Sequence, residues 1–568
     1  MASLRFVNQH DWVAAFCTAV ALLLLVIFSQ FLYQGYCSRM MMYKMKRQGI
    51  PIMEPHSWLT GHLGAMKRIK DGLPKDAHSL YTNLIIVRDW KKHFPTATSC
   101  PPVVYLDLWP IFPQPFMLLT APESCAQVTQ GSPQPRHPMF KWGLTPVTDG
   151  KDLISMSCES EVTHKLWRSR LSPGLSLRGL LSDITPILEE VEIFARNMKA
   201  LAGTNGYWGQ IFSAYDKTMN LTYDVIARVA MDLRLHEQTK GRGEFMTAFY
   251  NLTPLAKFNS LKNQLERLTP KYRQTVAANS KVLRDAIVTG IDKRLSLSPD
   301  TKKTTVIDLA LEDIAGTSYK SGKPELEEGL LDILVSQTKF IFFAGGNVVG
   351  LTLAWVLYEI MKYPAVLAQL RAEHDTVFGT DPTAIGSILR RQPYKVNELR
   401  YTNAVIKEAL RLHSPSQTLR QGSSDFNIVI DGVVFPTNRC LMQISAGSIH
   451  RREDIFPRPT EFLPERFLVP DDDPLHPPKN AYRPFEMGNM RCIGDELALI
   501  EMRLALAYVI RELDFQFDWD GQDKLRDRTV LPQTVFGERG YQCGRDVGSI
   551  KDGLPTRVRI RNSAVDAA

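Results

Sequence analysis

The chain lacks the closely spaced cysteines of a disulfide scaffold or a zinc site. It has eight cysteines among 568 residues, and none of them belongs to a Cys-x-x-Cys pair. Disulfide-rich domains and tetrahedral zinc sites both depend on cysteines at short, regular spacings. The sequence therefore argues against both classes, and each cysteine is by default a small buried hydrophobe.

The chain also lacks a strong charge of either sign. Its net charge is +8, spread along the sequence, and no zinc-finger, RNA-recognition or helix-turn-helix pattern accompanies that charge. We therefore expect no nucleic-acid partner, because the mild excess instead favours acidic membranes and acidic proteins. Hydrophobic residues make up 44% and charged residues 23% of the chain, which is enough for a sizeable core.

An apolar run without charge occupies residues 12–33. About 20 such residues cross a bilayer as a helix. A cleaved signal peptide is the alternative, but the run is long and no small-x-small cleavage site follows it. Basic residues, which prefer the cytoplasmic side, follow the run at Arg39, Lys44, Lys46 and Arg47. We predict one transmembrane anchor at 12–33, a short lumenal segment at 1–11 and a cytosolic globular domain.

Prolines set the next boundary. Gly49-Ile50-Pro51 ends any helix that leaves the anchor, because proline fixes φ. We therefore predict a basic, proline-containing linker at 34–60, a globular domain at 61–562 and a C-terminal tail at 563–568.

Helical patterns cover much more of the globular domain than strand-like patterns do. Apolar residues recur at helical spacing through most of 166–412, whereas 427–448 alternates like short strands, with a turn at Asp431-Gly432. The predicted fold class is mainly α with a small β region.

The strongest helical pattern runs from Leu330 to Lys362 and is apolar on almost every side. Such a helix either crosses the protein centre or spans a membrane. Asn347 and the Gly345-Gly346 pair favour a core helix over a second span. Two adjacent glycines cost about 1 kcal/mol each relative to alanine, so we expect something flat or bulky to approach them closely.

One cysteine has an unusual setting. Cys492 lies in a glycine-bracketed loop from Phe485 to Gly494, directly before a helical pattern. Gly488 permits an unusual φ, and Gly494 lets a planar ligand lie close to the helix start. The N–H groups there and the helix dipole favour a thiolate, and Arg491 adds positive charge.

The loop resembles the haem-binding loop of cytochrome P-450 monooxygenases, F-x-x-G-x-R-x-C-x-G. Phe485, Gly488, Cys492 and Gly494 fall in register. The resemblance implies that Cys492 is the axial ligand of a haem iron. Met490 stands where the family has its arginine, and Arg491 follows one residue late.

Further motifs match the same family, in order, across roughly 51–561. Glu408 and Arg411 match E-x-x-R, and Arg466 lies in a P-E-R-F sequence. The resemblance implies that these three form a buried structural network. It also implies that Arg168 and Arg420 bind haem propionates, with His164 where the family's W-x-x-x-R motif has tryptophan.

The central helix departs from the family where oxygen is activated. Ala344 and Gly345 match the oxygen groove, but Asn347 and Val348 stand in place of the acid and the alcohol that deliver protons. Valine donates no hydrogen bond. Protons would then come from ordered water or a substrate hydroxyl, or the chemistry needs no relay. Thr352 is a possible substitute donor, although helix-interior threonines usually bond their own backbone.

The resemblance implies a membrane-anchored haem-thiolate monooxygenase of the endoplasmic reticulum, similar to fungal microsomal enzymes of secondary metabolism. Such an enzyme inserts oxygen from O2 into an apolar substrate, or desaturates it, with electrons from NADPH through a membrane-bound reductase. The alternatives are a haem-thiolate isomerase or peroxide-dependent enzyme, and a degenerate, non-catalytic membrane-tethered haem-binding protein. Substrate specificity is expected in the loops Arg136–Val147 and Phe245–Phe258.

Overall fold

The structure is a computed structural model that describes residues 9–256, 261–297, 304–318, 328–415, 417–528, 532–544 and 547–561. The predicted C-terminal tail at 563–568 and most of the predicted lumenal segment lie outside these residues. So does the end of the second predicted specificity loop, at 257 and 258.

Helices carry most of the described chain. Their bounds are α1 (Gln9–Arg47), α2 (Leu63–Asp71), α3 (Leu80–Arg88), α4 (Trp90–His93), α5 (Pro122–Ala126), α6 (Met139–Thr148), α7 (Leu153–Met156), α8 (Glu161–Leu175), α9 (Leu177–Ser182), α10 (Thr185–Ala200), α11 (Ala214–Met231), α12 (Glu237–Lys240), α13 (Glu244–Leu252), α14 (Leu261–Leu268), α15 (Pro270–Leu295), α16 (Val306–Ser318), α17 (Glu328–Lys362), α18 (Pro364–Phe378), α19 (Ile385–Arg391), α20 (Arg400–Leu412), α21 (Ala446–His450), α22 (Asp495–Val509) and α23 (Trp519–Leu525).

The strands are short. They are β1 (Val103–Leu106), β2 (Phe116–Leu119), β3 (Phe212–Ser213), β4 (Gln417–Gln421), β5 (Asn427–Ile430), β6 (Val433–Pro436), β7 (Leu441–Ser445), β8 (Leu513–Phe517), β9 (Gln542–Cys543), β10 (Ser549–Ile550) and β11 (Pro555–Ile560). A four-stranded sheet has the order β1-β2-β7-β4, in which β2 and β7 are parallel. The remaining described strands form β3-β11-β8 and the pairs β5-β6 and β9-β10.

The predicted fold class, mainly α with a small β region, is confirmed. β5 and β6 form the predicted hairpin, and its turn residues Asp431 and Gly432 have φ of 50° and 78°. Positive φ at both turn residues matches the right-handed twist of the flanking strands.

The central helix α17 is a core helix, as predicted. Two helices of the described chain are long and apolar enough to cross a bilayer, but the apolar window of α17 is mostly buried inside the protein. Its residues share one large apolar core with α10, α11, α20 and α22.

The glycines of α17 serve helix packing. A Cβ at Gly345 would lie 2.6 Å from Ile226, and a Cβ at Gly346 would overlap the ring of Tyr223. Both partners belong to α11, whose Thr222 Oγ1 donates a 2.9 Å hydrogen bond to the Gly346 carbonyl. The expected bulky neighbour is therefore a protein helix.

The first helix is longer than the predicted anchor. α1 continues without a break from the apolar run to Arg47, and none of its apolar window is buried. The helix does end just before Gly49-Ile50-Pro51, as predicted.

The last part of α1, which lies in the predicted linker at 34–60, packs on the globular domain. Gly35 lies against the Trp109 ring, and Met42 and Met45 enter an apolar cluster. Arg39 forms an ion pair with the fully buried Asp107. Arg39 is only 3% exposed, so this residue belongs to the globular domain, although the sequence placed it among the basic residues that flank the anchor.

Candidate functional site

The loop before α22 is held by backbone hydrogen bonds. The Cys492 N–H donates to the Phe485 carbonyl at 2.9 Å, and the Arg491 N–H donates to the Gly488 carbonyl at 3.0 Å. Gly488 has φ of 78°, and a Cβ there would overlap the carbonyl of Thr129. Position 488 thus requires glycine both for its conformation and for the close approach of a neighbouring chain segment.

Gly494 leaves room beside the start of α22. A Cβ at this position would meet no atom within 4 Å, and its φ of −102° is open to any residue. The backbone therefore does not require glycine here, and the space beside it agrees with the expectation that a planar group lies close.

The Cys492 thiol faces an accessible space inside the protein. Its side chain is exposed, yet surrounding protein desolvates it, and this burial raises the pKa of the thiol above its usual value. The Gly494 N–H donates to the sulfur, and Arg168 and Arg136 act in the same direction, lowering the pKa. Those are the groups that would stabilise a thiolate.

Four nitrogen-bearing side chains converge beside this loop, and we call them the cationic cluster: Arg136, His164, Arg168 and Arg420. The charge of Arg136 is the second cause, after burial, that lowers the pKa of Arg420 to about 9. Burial, together with the charges of the three arginines, lowers the pKa of His164 to about 4. Like charges held this closely in low dielectric are costly unless an anion joins them.

Several donors of the cationic cluster point at no protein acceptor. Arg420 is fully buried, and its Nε and Nη2 have no partner among the described residues, whereas its Nη1 donates to the Gln134 carbonyl at 2.9 Å. His164 is 1% exposed, and its Nε2 is also unpartnered there. Buried donors without acceptors are rare in folded proteins.

The cationic cluster suits the two carboxylates that a haem carries. Glu486, an acid that attracts Arg420, is already bound to Arg483 at 2.6 Å. Orphaned donors, unbalanced positive charge and an accessible cysteine therefore lie together. The residues present fit the haem that the sequence resemblance implies.

Arg491, a predicted cofactor contact, lies apart from the cationic cluster. Its guanidinium pairs with Asp495, and the side chain is 56% exposed. Only the Arg491 carbonyl contacts the cationic cluster, by accepting a 2.6 Å hydrogen bond from Arg168 Nη1. Arg491 directly follows the helical turn Gly488–Met490, and its side chain points outward to Asp495.

The sequence analysis missed Arg136 as a candidate cofactor contact and placed it in a specificity loop. Its backbone pairs with Arg420 of β4 in an isolated antiparallel bridge. No periodicity marks this position, because the pairing joins segments that are far apart in sequence.

The structure brings Glu408, Arg411 and Arg466 together in full burial. Glu408 accepts two 2.8 Å hydrogen bonds from Arg411 and one of 3.2 Å from Arg466. Arg411 also donates to the carbonyls of His450, Pro459 and Glu461. The network fastens α20 to the segment that leads toward the Cys492 loop.

The Ala344–Val348 part of α17 offers an apolar wall. Ala344, Gly345 and Val348 are partly accessible, whereas Gly346, Asn347 and Val349 beside them are buried. Asn347 is 8% exposed, and its amide reaches the Phe343 carbonyl only at 3.5 Å. No side chain between 344 and 352 titrates near neutral pH.

Thr352 is occupied by its own helix. Its hydroxyl donates to the Val348 carbonyl at 2.8 Å, and the side chain is 2% exposed. This is the backbone-facing threonine that the sequence favoured over a substitute proton donor.

A family model described as Cytochrome P450 matches residues 102–543. Among curated relatives, cytochrome P450 monooxygenase polC of Polytolypa hystricis is 30% identical over 549 residues, covering 96% of this chain and 95% of the relative. Cytochrome P450 monooxygenase acrF of Aspergillus aculeatus is 30% identical over 487 residues, covering 80% of this chain and 93% of the relative.

Solved structures share the fold. The cytochrome P450DA heme domain aligns with a TM-score of 0.66 at 19% identity, covering 91% of this chain and 97% of that one. A cytochrome P450 called CYP102L1 aligns with a TM-score of 0.67 at 20% identity, covering 85% and 98%.

Proposed function

Because the chain belongs to the cytochrome P450 family and is one of its monooxygenases, we propose that Cys492 binds the iron of its haem. We further propose that the enzyme inserts oxygen into an apolar organic molecule of fungal secondary metabolism, or desaturates it. One observation carries the site assignment: an accessible cysteine lies beside a buried cationic cluster whose donors lack acceptors.

Each part of the site has a separate task in this proposal. When bound through the Cys492 thiolate, a haem would supply the activation of O2. The Gly494 N–H opposes the rise in the pKa of the Cys492 thiol. The donors of the cationic cluster that lack protein acceptors would hold the two carboxylates of the haem. The Glu408 network keeps the Cys492 side rigid.

The wall of α17 orients an apolar substrate and excludes loose water. Ala344 and Val348 are one helical turn apart and lie on the same face, so both would contact an apolar substrate bound against this face. Neither they nor Asn347 can release a proton near neutral pH. Protons for the reaction therefore come from ordered water or from a hydroxyl of the substrate.

The same wall favours a second candidate function. Haem-thiolate chemistry that needs no proton relay, such as a rearrangement or the use of a peroxide, would tolerate Asn347 and Val348 without compensation. We rank it second because the full-length relatives are named monooxygenases.

Membrane anchoring and electron supply complete the proposal. The exposed apolar part of α1 anchors the enzyme in the endoplasmic reticulum membrane, with its catalytic domain cytosolic. Electrons arrive from NADPH through a membrane-bound reductase. The net charge of +8 suits docking to an acidic partner.

A reconstitution experiment tests the proposal. The full-length protein is placed in lipid nanodiscs with an NADPH–cytochrome P450 reductase. It is given the compounds that accumulate when its gene is deleted from the producing fungus. We expect NADPH-dependent product that carries oxygen from isotopically labelled O2, or that has lost two hydrogens. Turnover with peroxide alone, or a rearranged product without NADPH use, would favour the second candidate.

A further inference from the structure

A polar cavity lies where the membrane anchor joins the globular domain, and it shares no residue with the proposed haem site. Its volume is about 420 Å³, within the roughly 300–1,000 Å³ that small-molecule sites occupy. The lining combines α1 with the segment before β2, the end of β4 and the turn before β7. Its polar side chains belong to Gln34, Gln114, Gln421, Asn438 and Arg439.

The cavity lies at the expected depth of lipid headgroups. Gln34 directly follows the apolar run at 12–33, which is exposed along α1. Arg439 reaches α1 at the same level, where its charge interacts with Tyr33. Headgroups begin where such an apolar run ends, so the cavity opens at the cytosolic face of the membrane.

Aromatic side chains mark the same level of the molecule. The Trp109 ring lies against Gly35, next to Gln34 of the cavity. Tyr36 and Trp58 are 53% and 61% exposed, and their ring centroids are 6.3 Å apart. Because tryptophan and tyrosine favour the membrane–water interface, these residues indicate that Gln34 lies at that interface.

The cavity carries a positive charge that no neighbouring acid balances. Arg439 is exposed and forms no ion pair with a described residue, and none of the lining residues is acidic. Its φ is 59°, a conformation that glycine or asparagine adopts more readily. The turn itself therefore does not favour an arginine at this position.

The amides of the lining add hydrogen-bonding groups to that charge. Gln114 shares a 3.0 Å hydrogen bond with His137, whereas the side chains of Gln34 and Asn438 have no partner among the described residues. An amide donates through its NH₂ group, and a guanidinium binds phosphate well. The lining therefore suits a phosphate, but it offers no carboxylate to the ammonium group of a zwitterionic lipid.

We propose that this cavity binds the headgroup of an anionic phospholipid, whose phosphate contacts Arg439, Gln34 and Asn438. Basic pockets beside transmembrane helices on the cytoplasmic side bind such headgroups. The acyl chains would then lie along the exposed apolar part of α1. The proposal rests on the membrane anchoring in the proposed function and adds a specific lipid site to it.

A competition between two lipids tests the proposal. The full-length protein in detergent micelles is mixed with equal amounts of phosphatidylglycerol and phosphatidylcholine, and native mass spectrometry counts the lipid molecules that it retains. The variants are Arg439→Gln, Arg439→Lys and the control Arg47→Gln, which removes another exposed cation of α1. A parallel sample contains an excess of free glycerol 1-phosphate.

We expect the natural protein to retain phosphatidylglycerol about tenfold better than phosphatidylcholine, and Arg439→Gln to lose this preference, because a charge-assisted hydrogen bond is removed. Arg439→Lys keeps the charge without the fork and should retain an intermediate amount. Arg47→Gln should change retention by less than about twofold, because Arg47 lies about 20 Å further along α1, beyond the screening length of about 10 Å.

Equal retention of phosphatidylglycerol by Arg439→Gln and the natural protein would overturn the proposal. A similar loss in Arg439→Gln and Arg47→Gln would also overturn it, because general charge attraction would then explain the binding. Displacement of the lipid by glycerol 1-phosphate would instead indicate a site for soluble phosphates. Flotation with phosphatidylcholine vesicles is measured alongside, and a natural protein that does not float would refute the proposed membrane anchoring.

Discussion

The two faces of the proposed haem site are built from different interactions. On the Cys492 side, the buried charges of Glu408, Arg411 and Arg466 bind one another, and the loop is fixed by backbone hydrogen bonds. On the α17 side, the wall at Ala344 and Val348 is apolar, and its glycines serve contact with α11. The first face keeps most of the family's motif residues, apart from Met490 and His164, whereas the second lacks both the acid and the alcohol of the family.

Burial of charge explains why the faces differ. Removing one member of a buried ion network leaves its partners uncompensated in low dielectric, so such residues resist replacement one at a time. An apolar wall can exchange a threonine for a valine without unfolding the protein. The fold and the cofactor are therefore secured on one side, while chemistry can vary on the other.

The largest effect should follow from breaking the network on the Cys492 side. Glu408→Ala should lower the free energy of unfolding by about 3–5 kcal/mol, because Arg411 and Arg466 lose their shared carboxylate in full burial. Denaturant unfolding followed by circular dichroism measures the loss.

The matched control is Glu461→Gln, whose side chain pairs with Arg458 at the surface. It should change stability by no more than about 1 kcal/mol. If both variants lose a similar free energy of unfolding, the buried network contributes no more to stability than a surface ion pair.

A smaller loss should follow from crowding the opposite face. Gly346→Ala places a methyl group against the Tyr223 ring, and overpacking of this kind costs about 1–3 kcal/mol. Gly329→Ala, in the same helix, meets open space and should be neutral or stabilising by up to about 1 kcal/mol. Thermal unfolding of the two variants separates a packing role for Gly346 from simple helix propensity.

Restoring the family's acid and alcohol at positions 347 and 348 tests whether the α17 face lacks a proton relay. The double variant Asn347→Asp and Val348→Thr adds an acid and a hydroxyl to the wall. We expect a roughly twofold to tenfold higher fraction of NADPH converted to product, since proton delivery by a positioned group typically contributes more than water does. If the natural enzyme already leaks little peroxide and the variant behaves identically, the wall needs no relay.

The smallest effect is expected at Thr352. Thr352→Val removes only a hydroxyl that bonds its own helix, so coupling of NADPH use to product should stay unchanged and stability should shift by about 0.5 kcal/mol or less. A marked fall in coupling would identify Thr352 as the substitute proton donor after all.

Local pattern predicted much of this molecule. The glycine-bracketed loop, the hairpin at Asp431-Gly432 and the core helix α17 all follow from short-range signals. Their causes are backbone conformation, strand alternation and apolar periodicity, which a sequence displays directly.

Long-range contacts were the part that could not be predicted. Arg136 reaches the site through a backbone pairing with Arg420, and Gly346 is explained by Tyr223 of another helix. The sequence places Arg39 among the cations that flank the membrane anchor, but in the structure Arg39 forms an ion pair with Asp107. Each depends on which surfaces meet, and periodicity carries no information about that.

The reduced carbon-monoxide spectrum of the full-length protein tests the central claim most directly. We predict a thiolate-type Soret band in the natural protein and its loss in Cys492→Ser. Cys158→Ser, which removes a half-buried thiol near the cationic cluster, should keep the band. A natural protein without any haem band, or a thiolate-type band that survives in Cys492→Ser, would contradict the assignment of Cys492 as the iron ligand.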